Sequence, residues 1–123
     1  MQISKKISLV ILVVGYLLAG VNHFRNPVSY YNIIPHYLPF PVVLNILAGF
    51  FEILFALMLI WPKTRRLAAY GIILLLVLFL PVHITMIGNA PLKLGNLLVT
   101  PAIAWVRLLF QPVLMIWAWW HRE

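Results

Sequence analysis

Residues 41–61 read PVVLNILAGFFEILFALMLIW, and from Val42 to Trp61 twenty residues carry one charge, Glu52. A helix of that length crosses the hydrocarbon core of a bilayer, which is roughly 30 Å thick. A carboxylate near its middle costs roughly 2.5–3.5 kcal/mol on an insertion scale, so such a side chain is expected to face the protein interior and to have a partner. Glu52 is the only acidic residue before Glu123, and Arg107 is the only cation set well inside another apolar run. A buried Glu52–Arg107 ion pair is therefore the expected arrangement. A pair of this kind can serve a site or simply fix helix register.

Working outward, three more apolar runs are long enough to cross, giving spans at about Ile7–Phe24, Pro41–Trp61, Leu67–Ile87 and Pro101–Trp120. The expected fold class is all-α: a single transmembrane domain over residues 1–123, built as an integral membrane four-helix bundle. Composition agrees. The 123-residue chain is 64% hydrophobic and 9% charged, more apolar surface than a soluble domain of this size can bury. The net charge of +7 follows from basic segments flanking apolar spans, and no basic run with interleaved aromatics points to nucleic acid. With no cysteine, disulfides, thiol redox chemistry and thiolate metal sites are excluded. Lys5-Lys6 before an apolar stretch resembles a signal peptide. The positions around Leu17 to Gly20 suit cleavage poorly, so a retained first helix is expected.

Local signals mark the span ends. Pro41 suits a first helical position, Pro62 stops the second helix, Thr100-Pro101 reads as an N-cap followed by proline, and Gly88-Asn89 can close the third helix in a left-handed cap. Pro81 and Pro112 fall inside spans and free backbone carbonyls that need partners. Lys5, Lys6, Lys63, Arg65, Arg66 and Arg122 lie on the side of the termini, against Arg25 and Lys93 on the other. Both termini are thus expected in the cytoplasm. Between the first two spans, Arg25–Phe40 is too short and too broken by prolines to cross. It reads as an interfacial, partly helical lid on the outer face, with Tyr30, Tyr31, Pro35 and Tyr37 as its contact residues.

Each span presents a seam of small or polar residues: Gly15, Ala19, Asn22 and His23; Asn45, Ala48, Gly49, Glu52 and Ala56; Phe79, His83 and Met86; Ala104, Arg107, Gln111 and Ala118. At 1.5 Å per residue, the candidate pocket residues His23, Asn45, Glu52, His83, Arg107 and Gln111 converge in the outer half, with Gln111 and a histidine completing the ion pair. Two histidines and a carboxylate match a facial-triad set in type. They come from three helices beside an arginine, so no metal is expected. No phosphate loop or nucleophile–base motif occurs, and no cofactor is expected beyond a quinone or lipid headgroup as candidate ligand.

One ordered set of residues has a familiar pattern: Ala19-Gly20-Val21-Asn22-His23-Phe24, Ile33-Ile34-Pro35, Leu38-Pro39, Gly49-Phe50-Phe51-Glu52, Pro62 with Arg65, Pro81 with His83 and Met86, and Arg107-Leu108-Leu109-Phe110-Gln111. It resembles the DoxX-like family of small bacterial four-helix membrane proteins over nearly the whole chain. The resemblance implies a multi-pass protein of the bacterial inner membrane, with relatives tied to quinone-linked oxidoreduction or to oxidative-stress partners. It implies family polar positions at His23, Glu52, Arg107 and Gln111, and departs at His83, where many relatives have Asn. The expected function is an accessory subunit or an assembly and stress factor, with a membrane or redox protein, or a second copy of the chain, as partner. Two alternatives stand beside it: a small-molecule or proton-coupled transporter, which the six-to-two charge bias disfavours in its dual-topology form, and a membrane enzyme using Glu52 and His83 as acid and base.

Overall fold

The computed structural model describes residues 2–94 and 97–123. It is all-α apart from one short hairpin: α1 (Ile3–Arg25), α2 (Pro27–Ile33), α3 (Pro41–Ile60), α4 (Pro62–Leu78), α5 (Leu80–Asn89), β1 (Leu92–Leu94), β2 (Leu97–Val99) and α6 (Pro101–Trp120). Four helical stretches are long and apolar enough to cross a membrane: α1, α3, α4 continued by α5, and α6. This is a multi-pass membrane protein. Its surface fits that solvent, with Val10, Leu18, Leu47, Leu74, Leu109 and Ile116 all exposed.

Proline lies in the first turn of five of the six helices. Pro27, Pro41, Pro62 and Pro101 occupy first positions, and Pro81 sits in the first turn of α5, where the missing N–H deprives no intrahelical acceptor. Thr100 caps α6, its hydroxyl accepting from the Ile103 N–H at 3.3 Å. Phe40, the only non-glycine residue at positive φ among those described (53°), turns the chain into α3.

Two readings of the sequence need correction. Pro62 does not merely stop the second span: it opens the next helix, and Trp61 alone separates α3 from α4. The helix that carries the third span starts at Pro62, ahead of Leu67, with Lys63, Arg65 and Arg66 in its first turns. Gly88 and Asn89 remain helical. The left-handed cap is absent, and α5 ends on extended Ala90 before a cis Ala90–Pro91 bond. The connection that follows is an antiparallel hairpin, Leu92 opposite Val99 and Leu94 opposite Leu97.

Packing runs in chain order. α1 lies along α3, α3 against α4, and α4 and α5 against α6, while α2 reaches α1, α3, α5 and β1. The α1–α3 crossing is tight because both backbones lack a side chain there. A Cβ on Gly49 would stand 2.8 Å from His23 Cβ and 3.1 Å from the Gly20 carbonyl oxygen, and one on Gly20 2.9 Å from the Gly49 carbonyl oxygen. Helices in lipid approach closely through such pairs. The core toward the termini gathers Leu9, Leu12, Val13, Ala56, Leu59, Ala68, Ala69, Ile72, Leu76 and Ala118. A smaller cluster of Met86, Val99 and Ala104 joins α5, β2 and α6. α1 and α6 have no comparable backbone packing along their lengths.

Candidate functional site

The glycine crossing decides what Glu52 meets. With Gly20 and Gly49 in contact, the next turn of α1 carries His23 directly over α3, between Asn45 and Glu52. His23 Nδ1 lies 2.7 Å from Asn45 Oδ1, and the Asn45 amide donates to the His23 carbonyl at 2.8 Å. His23 Nε2 lies 3.1 Å from Glu52 Oε2. All three residues are buried. Tyr30 of α2 stacks on the imidazole at a centroid distance of 3.9 Å, and its hydroxyl accepts from Asn22 at 2.8 Å. Burial raises the Tyr30 phenol above its ordinary pKa, against the opposing effect of the Asn22 bond, so it stays a neutral hydroxyl.

This network fixes a proton count. The Asn45 amide nitrogen is committed to the His23 carbonyl, so its oxygen faces the ring and Nδ1 must carry the donated hydrogen. In neutral His23, Nε2 is then a bare lone pair facing a carboxyl oxygen. Two acceptors at 3.1 Å repel, so the contact holds one further proton, either as imidazolium with carboxylate or as neutral imidazole with carboxylic acid. The contact is too oblique to count as a hydrogen bond, and Oε2 has no aligned donor.

The expected ion pair is thus rearranged. Glu52 makes its ionic contact with His23, not with Arg107, because the glycine crossing brings α1 nearer to α3 than α6 is. Arg107 donates instead to Gln111 Oε1, one turn on, at 2.6 Å. Gln111, fully buried, passes its amide to the Leu76 carbonyl at 2.8 Å, in the last turn of α4 before the break at Phe79.

Glu52 and Arg107 nevertheless line one cavity of about 250 Å³, whose other walls include Leu12, Gly15, Tyr16, Leu75, Phe79 and Leu114. It occupies the gap between α1 and α6. Tyr16 is the residue that sequence reasoning missed, since a lone tyrosine in an apolar helix looks like packing. Its one available signal was its place on α1 next to Gly15 and one turn before Ala19, on the seam already singled out. His83 does not line this cavity, and its Nδ1 is buried without a partner. A Glu52–His83 acid–base pair is not assembled; the histidine at Glu52 is His23. Of the lid, Tyr30 covers His23 and Pro35 is buried, while Tyr31 is half-buried and Tyr37 is 70% exposed. Among the described residues no group of three potential metal ligands occurs.

At the other end, near the termini, a second polar cluster ties α1 to α6. Trp117 Nε1 donates to Ser8 Oγ at 2.8 Å, and Ser8 Oγ lies 2.9 Å from His121 Nε2. His121 is fully buried with Nδ1 unpartnered. Burial, then Lys5 and Arg65, lowers its pKa, so it is neutral and accepts from the Ser8 hydroxyl.

Residues 12–122 match a family described as "Domain of unknown function (DUF8561)". No curated protein and no solved structure matches the chain.

Proposed function

From the premise that this chain belongs to the DUF8561 family, we propose that it is an accessory membrane protein whose α1–α6 gap receives the polar head of a lipid-soluble ligand, a quinone or lipid headgroup. The observation that carries this reading is the cavity itself: Tyr16, Glu52 and Arg107 project into an otherwise apolar space on the side where two helices stand apart. Ligand pockets commonly occupy about 300–1,000 Å³. A volume of about 250 Å³ suits a headgroup, whose tail would leave through the gap into hydrocarbon.

Each polar residue has a role in that reading. Gln111 holds one guanidinium nitrogen of Arg107, leaving other N–H groups of the fork to donate to a carbonyl or anionic oxygen. Tyr16 supplies a second donor. Glu52 stands between the cavity and His23, where it can give or take the proton the two share. Leu12, Leu75, Phe79 and Leu114 exclude water and so strengthen these contacts.

The finer architecture belongs to the same proposal. The helices form a four-helix bundle in the bacterial inner membrane, both termini are cytoplasmic, and α2 rests at the outer interface over His23. The DoxX-like resemblance supports this assignment and the role as subunit or assembly factor beside a membrane or redox partner. A second reading, acid–base chemistry on a bound lipid-soluble substrate, is favoured by the shared proton; its acid and base are Glu52 and His23.

The test is binding of a short-tailed benzoquinone to purified protein in nanodiscs, read by thermal shift and by cross-linking through a photoreactive tail. Wild type should bind. Arg107→Gln should weaken binding about tenfold or more, as loss of a charge-assisted hydrogen bond does, and Tyr16→Phe by less. Equal binding by the variants, or by an alkane of matching length, would refute the assignment.

A further inference from the structure

The termini end carries an unbalanced charge. Lys5, Lys6, Lys63, Arg65, Arg66 and Arg122 gather there with one acidic side chain, Glu123, which lies 3.9 Å from Arg122. Arg65 stands out among them because it is only 8% exposed. Its Nε donates to the Leu59 carbonyl at 2.8 Å, one terminal nitrogen to the Ile60 carbonyl at 3.0 Å, and the other to the backbone oxygen of Glu123 at 3.5 Å. The Leu59 and Ile60 carbonyl oxygens solvate the guanidinium without neutralising it. Three of its five N–H groups are used, and two remain.

Beside it runs a groove of about 640 Å³, walled by Lys6, Leu9, Val10, Val13 and Val14 of α1 and closed by Ile60, Pro62 and Arg65 where α3 turns into α4. From Lys6 to Val14 it extends for roughly 12 Å along the helix axis. One end is cationic and the remainder is apolar, the polarity of an anionic lipid with its chain pointing into the bilayer. The first N–H groups of α4 add positive potential at the same end.

We propose that this groove is a binding site for an anionic phospholipid, with its phosphate between Lys6 and Arg65 and an acyl chain along Leu9, Val10, Val13 and Val14. The site is separate from the α1–α6 cavity, on the opposite flank of α1, and stands whether or not that cavity takes a quinone. The occupant is a lipid rather than a free anion because the groove continues well past the charges and its walls beyond them carry no polar side chain.

Delipidated protein in a neutral detergent tests the proposal, with thermal stability and native mass spectrometry as readouts. Phosphatidylglycerol should raise Tm and remain bound in the gas phase, and phosphatidylcholine should do so far less. A basic side chain near a membrane surface contributes enough attraction for about a fivefold change in affinity, so Lys6→Gln should weaken phosphatidylglycerol binding about that much. Val10→Trp is the second variant. Val10 is 59% exposed, so the fold should tolerate the change while the indole fills the groove and abolishes the phosphatidylglycerol effect. Equal stabilisation by phosphatidylcholine would show an apolar surface without headgroup recognition. Stabilisation by inorganic phosphate alone, matching the lipid, would show a simple anion site. Undiminished binding to Val10→Trp would place the lipid elsewhere. Each of these three results overturns the proposal.

Discussion

Replacing Gly49 with alanine puts the helix crossing and the polar site to one test. The new methyl would stand 2.8 Å from His23 Cβ, about 0.6 Å inside the 3.4 Å at which ordinary contact begins, and 3.1 Å from the Gly20 carbonyl oxygen. Neither neighbour can swing away, because one is a Cβ and the other backbone, so α1 must move bodily. Overpacking of this kind costs about 1–3 kcal/mol. Alanine returns about 1 kcal/mol through helix propensity. The overpacking term wins above its lower limit, and a net loss of up to about 2 kcal/mol is expected. Gly15→Ala is the matched control on the same helix pair. A Cβ there meets nothing within 4 Å, so only propensity acts and stability should rise, by at most about 1 kcal/mol. Unfolding by sodium dodecyl sulfate in mixed micelles, followed by tryptophan fluorescence, measures both. The displacement of α1 should also carry His23 away from Glu52, which histidine ring NMR would report as a changed environment in Gly49→Ala alone. If the two substitutions shift stability in the same direction, or the His23 signals are unmoved in Gly49→Ala, the crossing does not set the site.

Other outcomes follow from the same geometry. Glu52→Gln and His23→Gln should each be costly, about 3–5 kcal/mol for a buried pair broken on one side, with the double variant far short of their sum; an additive cycle would show that the two do not interact. His121 has a folded pKa below its ordinary value, so the unfolded chain binds more protons. Stability should fall as pH drops below about 6.5 and level off once the folded pKa is passed; His121→Phe should flatten that slope, and an unchanged slope would assign the acid sensitivity elsewhere. Reporter fusions after Lys93 and after Glu123 should read opposite sides of the membrane, with the C-terminal one cytoplasmic, and a mixed signal at either would defeat the orientation.

The four crossings were legible because twenty-residue apolar runs have few other solutions. The seam Asn45, Ala48, Gly49, Glu52 and Ala56 was legible from spacing alone, and all of it but the half-buried Ala48 is buried. The partner of Glu52 was not. Charge type favours an arginine, but the actual neighbour depends on how closely two backbones approach, and that is set by Gly20 on one helix meeting Gly49 on the other, a pairing no single helix reveals. Pro62 was read as a terminator because proline both ends and begins helices, and only the one-residue link at Trp61 shows that it does both at once. The hairpin escaped notice because three-residue strands carry too little alternation to separate from a loop.

That one-residue link has a consequence for how the protein is made. With Trp61 alone between them, α3 and α4 are expected to enter the bilayer as a pair. Together they make a helical hairpin whose tip carries Lys63, Arg65 and Arg66. Insertion of this pair is a single decision, and the cations at the tip resist translocation. Moving them to the far end of the hairpin should invert two crossings at once, whereas lengthening the Trp61 connection would let biogenesis separate what the native chain keeps joined.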